Sequence, residues 1–529
     1  MSEIFLRNDT AAGMSNNFLR KFFWLPFAIL HLPFVFSESA LWDSLVQTQT
    51  YQLGIFDCST QFSFDSGVPL SALIWQLGRL PYFIFIFKFA MLACYITSSF
   101  LFRTIIQRLF GFDDYWAFVA INVAFLFPAY SMWYHIIMLP YVISLTAFLA
   151  AVVLYIKRYP HNSVPTLLVI SVLSIVAFNI RSFLVFHLAA LFCVFIAEML
   201  NTENRIKSFA FFIQRNLILI VLPFIYYVLL AINFPLGGLY KVDQYNVIQF
   251  SISNVFVELG KSIINTLFTP FYFLLKYVIS DGTLLMLIFA FCLGSFLLLR
   301  KKGKAQVVRT KPILVALLGL MFLSALIPYA LVGKHVTTHG YETRHALLAI
   351  FPLIIIVIIC FQKLFSNTIV LSFFLALVAS AFFYNEVLWQ NRFTKYEWTI
   401  DKLKSEKNIL KEVVFFEDNA VVGMNEYFRF YECNIILQRA THSSAHIGIS
   451  ENPKNYNRQF VNQLSKKYSC CKDCLFFEGF DESKASEYNK VIIKQTEKRS
   501  ELQIWINNLT HWNPEAKLPL KLEISTHSF

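Results

Sequence analysis

Residues 37–70 read SESALWDSLVQTQTYQLGIFDCSTQFSFDSGVPL, a long polar stretch that lies between two apolar stretches. Its four carboxylates are Glu38, Asp43, Asp57 and Asp65. Apolar stretches on both sides of a polar one are typical of two membrane spans joined by an extramembrane loop. The composition and the charges of the rest of the chain decide where this loop lies.

The composition indicates that most of the chain lies in a bilayer. Of its 529 residues, 57% are hydrophobic and only 15% are charged, and the mean hydropathy is +0.55. Soluble domains carry roughly 25% charged residues, so we predict an α-helical polytopic membrane protein with about eleven transmembrane helices in residues 1–385. The predicted spans lie near residues 20–36, 81–102, 115–131, 138–156, 163–180, 182–199, 216–233, 282–299, 312–332, 345–361 and 367–385.

Lysine and arginine residues predict the orientation. With the N-terminus in the cytoplasm, the cytoplasmic loops contain seventeen of these residues and the outer loops contain seven, and the bias is strongest at RKKGK (300–304). Positive charge is enriched in cytoplasmic loops, so we interpret this basic run as a topology signal and not as a nucleic-acid site. The chain is predicted to lie in the plasma or inner membrane, and an odd number of spans places the C-terminus outside the cytoplasm.

The composition changes after about Asn385. Residues 386–529 are polar and contain short β-like runs such as CNIIL, LQIWI and LKLEI, which predict a mixed α/β soluble domain outside the cytoplasm. CCKDC (470–474) has the spacing of a zinc site, but outside the cytoplasm a disulfide is favoured. The cysteines concerned are Cys433, Cys470, Cys471 and Cys474. The chain has no P-loop and no G-x-G-x-x-G motif, which excludes a transporter that hydrolyses ATP within this chain.

By this topology residues 37–80 form the first outer loop, and Glu38 emerges at the membrane surface. A carboxylate at this interface is partly desolvated, which raises its pKa and its basicity. Glu38 is therefore a candidate general base that removes a proton from an acceptor hydroxyl. The alternative is a solvated loop whose acids only cap helices, an interpretation that we favour for Asp43 and Asp57.

The order of short motifs in this loop resembles that of the GT-C superfamily, which are integral-membrane glycosyltransferases that use polyprenyl-phosphate sugars. The motifs are Ser37-Glu38 with Trp42, then Gly54-Ile55-Phe56, then FDSGVPL at 64–70. FRTIIQRLFGFDDYWAFVAINVAFLFP (102–128) and HGYETRHALLAIFPLIIIV (339–357) are similar to later segments of the family. The chain departs from the family at Ser37, where Asp is usual, and at WYHIIMLPY (133–141), which has His135 but no acid.

The resemblance implies inverting sugar transfer. Glu38, helped by Asp65, would deprotonate the acceptor hydroxyl that attacks the anomeric carbon of the lipid-phosphate sugar. The departing phosphate needs fixed cations, and the resemblance implies this role for Arg181 and Arg344, with Lys334 as a further candidate. Arginine offers a two-point contact to phosphate. An arginine between two apolar stretches, such as Arg181, is a functional candidate by default, and the alternative is an arginine that snorkels to lipid headgroups.

The resemblance also implies the partners. These are a polyprenyl-phosphate sugar donor, membrane lipids, and a glycan, lipid or protein acceptor such as lipopolysaccharide or O-antigen, without nucleic acid. The enzyme is expected to be a hexosyl- or pentosyltransferase. Divalent metals occur in this superfamily, but the sequence predicts no certain metal site, because the acidic pair that would hold the metal is incomplete.

Two segments and three other functions leave alternatives open. Residues 234–281 contain an amphipathic stretch broken by Pro270, which lies flat at the outer interface or forms a broken twelfth span. Lys88, inside the second span, snorkels or pairs within the bundle.

A flippase for lipid-linked sugars predicts matched halves and mid-span acids, which the sequence lacks. A polysaccharide polymerase or ligase would use a large late outer loop, and a non-catalytic scaffold would fit the incomplete acidic pair.

Overall fold

A computed structural model describes most of the chain, and helices dominate it. The residues that the structure describes are 21–37, 43–52, 56–127, 135–159, 163–200, 205–236, 248, 251–300, 312–338, 341–411, 413–420, 422–423, 428, 430–442, 447–450, 487–497, 499–510 and 518–528. Glu38 and three of the four C-terminal cysteines lie outside them, whereas Cys433 is buried and is not in a disulfide.

The first three quarters of the chain are α-helical. The helices are α1 (Leu25–Val35), α2 (Asp43–Gln52), α3 (Phe56–Asp65), α4 (Pro69–Trp75), α5 (Phe83–Phe110), α6 (Asp114–Phe125), α7 (Leu139–Arg158), α8 (Val164–Phe178), α9 (Ser182–Met199), α10 (Arg205–Asn233), α11 (Ile252–Leu267), α12 (Thr269–Ser280), α13 (Thr283–Leu299), α14 (Pro312–Ala330), α15 (Leu347–Phe365) and α16 (Thr368–Ser405). Short 3₁₀ helices cover Gln76–Arg79, Ile136–Met138, Tyr341–Ala346 and Lys407–Ile409.

Local sequence signals set several of the helix ends. Pro69 and Pro140 lie in the first turns of α4 and α7, where a missing N–H costs nothing. The side chains of Asp113 and Asn367 cap α6 and α16 by accepting a hydrogen bond from a backbone N–H, at 2.8 and 2.9 Å. Gly111 ends α5 in the left-handed conformation, with a φ of 66°.

A helix is present at each of the eleven predicted spans, but the helices differ in length. Among the described residues, six are long and apolar enough to cross a membrane, within α5, α7, α10, α14, α15 and α16. The helices at the other five predicted spans are also apolar, but their apolar stretches are shorter; they are α1, α6, α8, α9 and α13. The chain is therefore a helical membrane protein, and the number of eleven crossings stays a prediction.

Residues 234–281 contain the helix pair α11 and α12. The two helices are bent by 50° at their junction, next to Pro270, and together they are long enough to count as a broken span. Pro270 lies in the first turn of α12, where it cannot continue the hydrogen bonding of the preceding helix. Both alternatives for this segment, a surface helix and a broken span, are consistent with the bend.

The centre of the bundle is α6. Each of its residues from Tyr115 to Phe125 is buried, as expected for a helix that is apolar on all sides. Aromatic contacts join the neighbouring helices: the rings of Phe125 and Phe351, on α6 and α15, have centroids 5.8 Å apart. On α1, Phe34 packs against Phe382 of α16 at 6.3 Å.

The C-terminal part contains a four-stranded mixed sheet. Its elements are β1 (Val413–Asp418), α17 (Phe430–Thr441), β2 (Ile447–Ser450), β3 (Glu487–Gln495), α18 (Glu501–Thr510) and β4 (Leu520–Ser528). The strand order is β2-β1-β3-β4, with β1 parallel to both neighbours and β4 antiparallel to β3. A mixed sheet is present as predicted, and LKLEI lies in β4, but CNIIL and LQIWI lie in α17 and α18 and not in strands. A short apolar run does not by itself distinguish a strand from a buried helix segment.

The long helix α16 connects the two parts. It has 38 residues and runs through the predicted domain boundary at 385–386 without a break. Beyond that point the sheet and its helices bury α16, and two ion pairs join α16 to them. Arg392 pairs with Glu432 of α17 at 2.9 Å, and Lys395 pairs with Asp418 of β1 at 2.6 Å, with all four side chains at most 3% exposed.

Candidate functional site

A buried lysine holds the start of the first loop. Lys88 on α5 is fully buried, and its Nζ donates hydrogen bonds to the backbone carbonyls of Phe34, at 3.4 Å, and of Ser37. Lys88 therefore pairs within the bundle, one of the two alternatives for it, and fixes the chain one residue before Glu38. Glu38 lies outside the described residues, so its role as the base stays a prediction.

A buried carboxylate faces the same lysine. Glu386 on α16 is 3% exposed and lies within electrostatic range of Lys88, and within the described residues no hydrogen bond reaches its Oε1. His135 packs edge-on against Trp389, with ring centroids 5.4 Å apart. Burial, with the nearby charges of Lys88 and Arg392, lowers the pKa of His135 to about 3, so this histidine is neutral at pH 7. Glu386 and His135 thus both lie within electrostatic range of Lys88.

The end of the first loop docks on the turn between α8 and α9. Gly67 has a φ of 69°, and a Cβ on Gly67 would overlap the Nη2 of Arg181. Beside this contact, the backbone N–H of Leu70 donates to the Oδ1 of Asn179 at 3.1 Å, and the Nδ2 of Asn179 donates to the Oγ of Ser71 at 3.0 Å. The structure therefore brings Arg181 against the FDSGVPL motif.

Asp65 lies two residues before Gly67, the residue against which Arg181 packs. Asp65 ends α3, is half-buried, and its Oδ1 accepts a hydrogen bond from the Nε2 of Gln61 at 2.8 Å. In the part of the chain that the structure describes, the Nε of Arg181 has no hydrogen-bond partner. Tyr226 on α10 lies within electrostatic range of the guanidinium. This end of the loop thus combines a carboxylate with an arginine that has donor capacity for an anion.

Arg344 and Lys334, the other two predicted phosphate-binding residues, lie around Tyr329 near the end of α14. Arg344 is 8% exposed, and its Nε donates to the Nε2 of His345 at 3.3 Å. The ring of His345 packs against that of Tyr329, with centroids 4.3 Å apart. The backbone N–H of Lys334 donates to the Tyr329 carbonyl at 2.9 Å. The described contacts thus group Arg344 with Lys334, whereas Arg181 lies against Gly67, and their joint action on one donor stays a prediction.

The segment after Lys334 leads back to Glu386. His335 pairs through its Nδ1 with the Oε2 of Glu258 on α11 at 2.9 Å, and the backbone N–H of Val336 donates to the Oγ of Ser262 at 2.8 Å. Thr338 and Asn385 line one small cavity of about 10 Å³. Since Asn385 precedes Glu386, and Lys88 lies within electrostatic range of Glu386, the Lys334 segment lies at the same end of the bundle as these two residues.

The C-terminal part covers the first loop. Leu45 on α2 is 2% exposed and belongs to the same apolar core as Val414 of β1 and Ile436 of α17. Next to Leu45, the Oγ of Ser44 accepts a hydrogen bond from the backbone N–H of Ile137 at 3.3 Å. The first loop is therefore held between the C-terminal part and the start of α7, and water is excluded from one of its faces.

No group of three or more His, Cys, Asp or Glu that could hold a metal ion is found among the described residues. Glu38 and CCKDC lie outside those residues. The expectation that the chain has no certain metal site therefore stays a prediction.

Sequence analysis did not identify Glu386 as a candidate. Its signal was present, because FFYNEVLW (382–389) places an acid directly after the last apolar stretch, and an acid at a membrane boundary is a functional candidate. Its proximity to Lys88, on a helix far away in the sequence, could only come from the fold.

Comparison with known proteins gave matches among solved structures alone. No family model matches the chain, and no curated protein matches it. The chain is similar to ArnT from Cupriavidus metallidurans bound to undecaprenyl phosphate, with a TM-score of 0.40 and 9% identity over 88% of this chain and 92% of that chain. It is also similar to the apo state of the same ArnT, with a TM-score of 0.37 and 10% identity over the same shares. Likenesses this distant assign neither a fold nor a function to the chain.

Proposed function

We propose that the chain is a membrane glycosyltransferase that moves a sugar from a polyprenyl-phosphate donor to an acceptor outside the cytoplasm. The observation that supports this most is the contact between Arg181 and Gly67, because it joins a cation with donor capacity to the loop that carries the candidate acids. The acceptor is an envelope glycan, a lipopolysaccharide or O-antigen, or a protein.

In the proposed reaction Glu38 takes the proton of an acceptor hydroxyl. The hydroxyl oxygen forms a bond to the anomeric carbon, and the bond between that carbon and the phosphate oxygen breaks, so the configuration inverts. The electron pair leaves with the polyprenyl phosphate. Arg181 and Arg344, with Lys334, stabilise this dianionic leaving group. Asp65 assists Glu38, and the buried Lys88 holds the start of the loop.

The proposed location follows from the charges. The chain lies in the plasma or inner membrane with the N-terminus in the cytoplasm and residues 386–529 outside. The first loop is then on the face where the acceptor lies. The product distinguishes this activity from that of a flippase, since a flippase leaves the sugar on the lipid phosphate.

The test measures sugar transfer from a panel of polyprenyl-phosphate sugars in membranes with matched protein levels. Glu38→Gln keeps the size of the side chain and removes its basicity, and loss of a positioned general base lowers the rate by about 10²–10⁴-fold. Asp43→Asn is the matched control, and it should change the rate little because we assign Asp43 to a solvated face. Transfer at background level with every donor, or a parental rate for Glu38→Gln, would contradict the proposal.

A further inference from the structure

An apolar cavity of about 220 Å³ lies in the half of the bundle away from the first loop. Its walls come from α5, α7, α8, α9, α10, α14 and α15, and include Phe102, Leu191 and Met321. An apolar cavity of about 150 Å³ stays dry and binds benzene. By the same measure, this cavity holds a hydrocarbon segment of roughly ten carbons.

One end of the cavity is polar. Tyr155 and Tyr159 of α7 line it, and the hydroxyl of Tyr155 donates to the Oδ1 of Asn216 at 3.0 Å. The hydroxyl of Tyr159 contacts both Glu198 and Arg215. A ligand with an apolar chain and a polar head would therefore meet suitable surroundings at both ends.

Arg215 does not itself line the cavity, but it contacts Tyr159 at this end and has donors to spare. Its Nη2 pairs with the Oε2 of Glu198 at 2.9 Å, and its side chain is 9% exposed. The guanidinium lies 4.1 Å from the ring centroid of Tyr159 and 5.0 Å from that of Phe211. Among the described residues, its Nε and Nη1 have no hydrogen-bond partner. Buried donors without an acceptor cost free energy, so an acceptor from a ligand would stabilise this site.

The charge around Arg215 favours an anion. Glu198 neutralises one positive charge. Lys157 and Arg158, which end α7 directly before Tyr159 in the sequence, are exposed and add two more. Positive charge at a membrane boundary attracts anionic lipid headgroups. A phosphate accepts the in-plane hydrogen bonds that a guanidinium offers.

We propose that the cavity and Arg215 form a binding site for a phosphate-bearing glycerolipid of the bilayer. One hydrocarbon chain lies in the cavity, and the phosphate accepts hydrogen bonds from the Nε and Nη1 of Arg215. This site lies at the end of the bundle opposite to the first loop, so it is separate from the proposed transfer reaction.

The test measures the midpoint of thermal unfolding of the purified full chain in detergent against increasing lipid. The probes are phosphatidylglycerol, diacylglycerol with the same chains, inorganic phosphate, and a polyprenyl phosphate. Phosphatidylglycerol should raise the midpoint at a half-saturating concentration about tenfold below that of diacylglycerol, because hydrogen bonds between charged groups are the strong ones. Inorganic phosphate alone should have no effect.

Two variants separate the chain from the headgroup. Ser174→Leu fills the cavity from α8, and it should weaken binding of both glycerolipids. Ser171→Leu is its matched control, since Ser171 is a buried serine of the same helix that does not line the cavity. Arg215→Lys keeps a cation beside Glu198 but lacks the spare donors, and it should abolish the preference for phosphatidylglycerol while leaving the cavity unchanged.

Four results would overturn the proposal. Equal responses to phosphatidylglycerol and diacylglycerol would indicate non-specific lipid contact. A parental response in Ser174→Leu would place the chain elsewhere. A full response to inorganic phosphate would indicate a free-anion site. A response to polyprenyl phosphate but not to phosphatidylglycerol would assign the cavity to the donor chain.

Discussion

Gly67 combines two constraints that are usually separate. Its φ of 69° lies in the left-handed region, which costs other residues roughly 1–2 kcal/mol. Its missing side chain also leaves the space that the guanidinium of Arg181 occupies. The glycine of FDSGVPL therefore shapes the loop and positions the cation at the same point.

Gly67→Ala should lower both stability and transfer. The new methyl group would overlap the Nη2 of Arg181, so the guanidinium must move, and the KM for the donor should rise. The left-handed backbone adds a stability loss of about 1–2 kcal/mol. The measurements are the midpoint of thermal unfolding and the KM for the donor.

Gly294→Ala is the control for this substitution. Gly294 lies inside α13, and a methyl group at this position would meet no atom of another element within 4 Å. Alanine should therefore be neutral or stabilise the helix by about 0.5–1 kcal/mol. If Gly67→Ala keeps the parental KM while Gly294→Ala behaves as expected, Arg181 does not act from this position.

The sequence indicated Arg181 and FDSGVPL as separate features, and their contact could not be predicted from it. An arginine between apolar stretches and a glycine before a helix are local signals. Their distance depends on how α8 and α9 pack against the first loop. The proximity of Lys88 and Glu386 was missed for the same reason, since these residues lie on the second predicted span and directly after the last one.

At the scale of elements, α16 carries most of the contacts between the two parts of the chain. Its apolar stretch ends near Asn385, and sequence analysis placed a domain boundary there because hydropathy falls. The helix continues because the C-terminal part buries its polar residues in ion pairs and hydrogen bonds. Arg392, Lys395 and Asn391 are each at most 1% exposed. Hydropathy reports the preferred surroundings of residues, and it cannot distinguish a polar helix in water from one buried by a partner.

Glu432→Gln should destabilise the contact between α16 and α17. The substitution leaves the charge of Arg392 buried without its partner, and such a loss costs about 3–5 kcal/mol. The double substitution Arg392→Met with Glu432→Leu removes both charges, so it should recover most of the loss. Thermal unfolding of the purified chain and limited proteolysis of the C-terminal part give the ranking.

Lys404→Ala is the matched control on the same helix. Lys404 pairs with Asp401 at 3.1 Å, but both side chains are about half exposed, and exposed pairs contribute about 0–1 kcal/mol. A double variant as unstable as Glu432→Gln would show that the pair is needed for packing and not only for charge balance.

At the scale of the whole molecule, α18 attaches the C-terminal part to the bundle. Trp505 packs against Phe383 with ring centroids 5.3 Å apart, and its Nε1 donates to the Oε1 of Gln390. Glu501 accepts hydrogen bonds from the Nδ2 of Asn391 at 2.7 Å and from the backbone N–H of Gly423 at 3.0 Å. This attachment therefore depends on a partly buried carboxyl group.

The attachment of α18 should weaken as the pH rises. Burial and the nearby charge of Asp281 raise the pKa of Glu501 from 4.5 to about 7. The two hydrogen bonds and the nearby charge of Lys395 act in the opposite sense. Because the folded chain holds the proton more tightly than the unfolded chain, this contribution is complete below pH 4.5 and is lost as the pH rises through 7. The loss amounts to about 3 kcal/mol.

The measurement is the midpoint of thermal unfolding between about pH 4.5 and pH 8, the window that the raised pKa of Glu501 defines. Glu501→Gln should flatten the profile up to about pH 7, because glutamine does not titrate. Glu497→Gln, at an exposed position four residues before Glu501, should leave the profile unchanged. An identical profile for the parental chain and Glu501→Gln would contradict the assignment.

The unbroken helix α16 also fixes an angle. At 1.5 Å per residue its 38 residues span about 57 Å, whereas the hydrocarbon core of a bilayer is about 30 Å thick. The rotation of the last turns of α16 about the helix axis sets which side of the C-terminal part faces the bundle. Leu45 of the first loop is buried in that part, so the same rotation also sets the position of the loop.

One alanine inserted after Leu388 would rotate everything beyond it by about 100° and lift it by about 1.5 Å. Leu45 would then be pulled out of the core or drag the first loop with it, so transfer should be lost although the C-terminal part itself stays folded. The same alanine inserted after Glu406, beyond the end of the helix, leaves the rotation of α16 unchanged and should be tolerated. The first loop is thus aligned by a helix that is longer than the hydrocarbon core of a bilayer is thick.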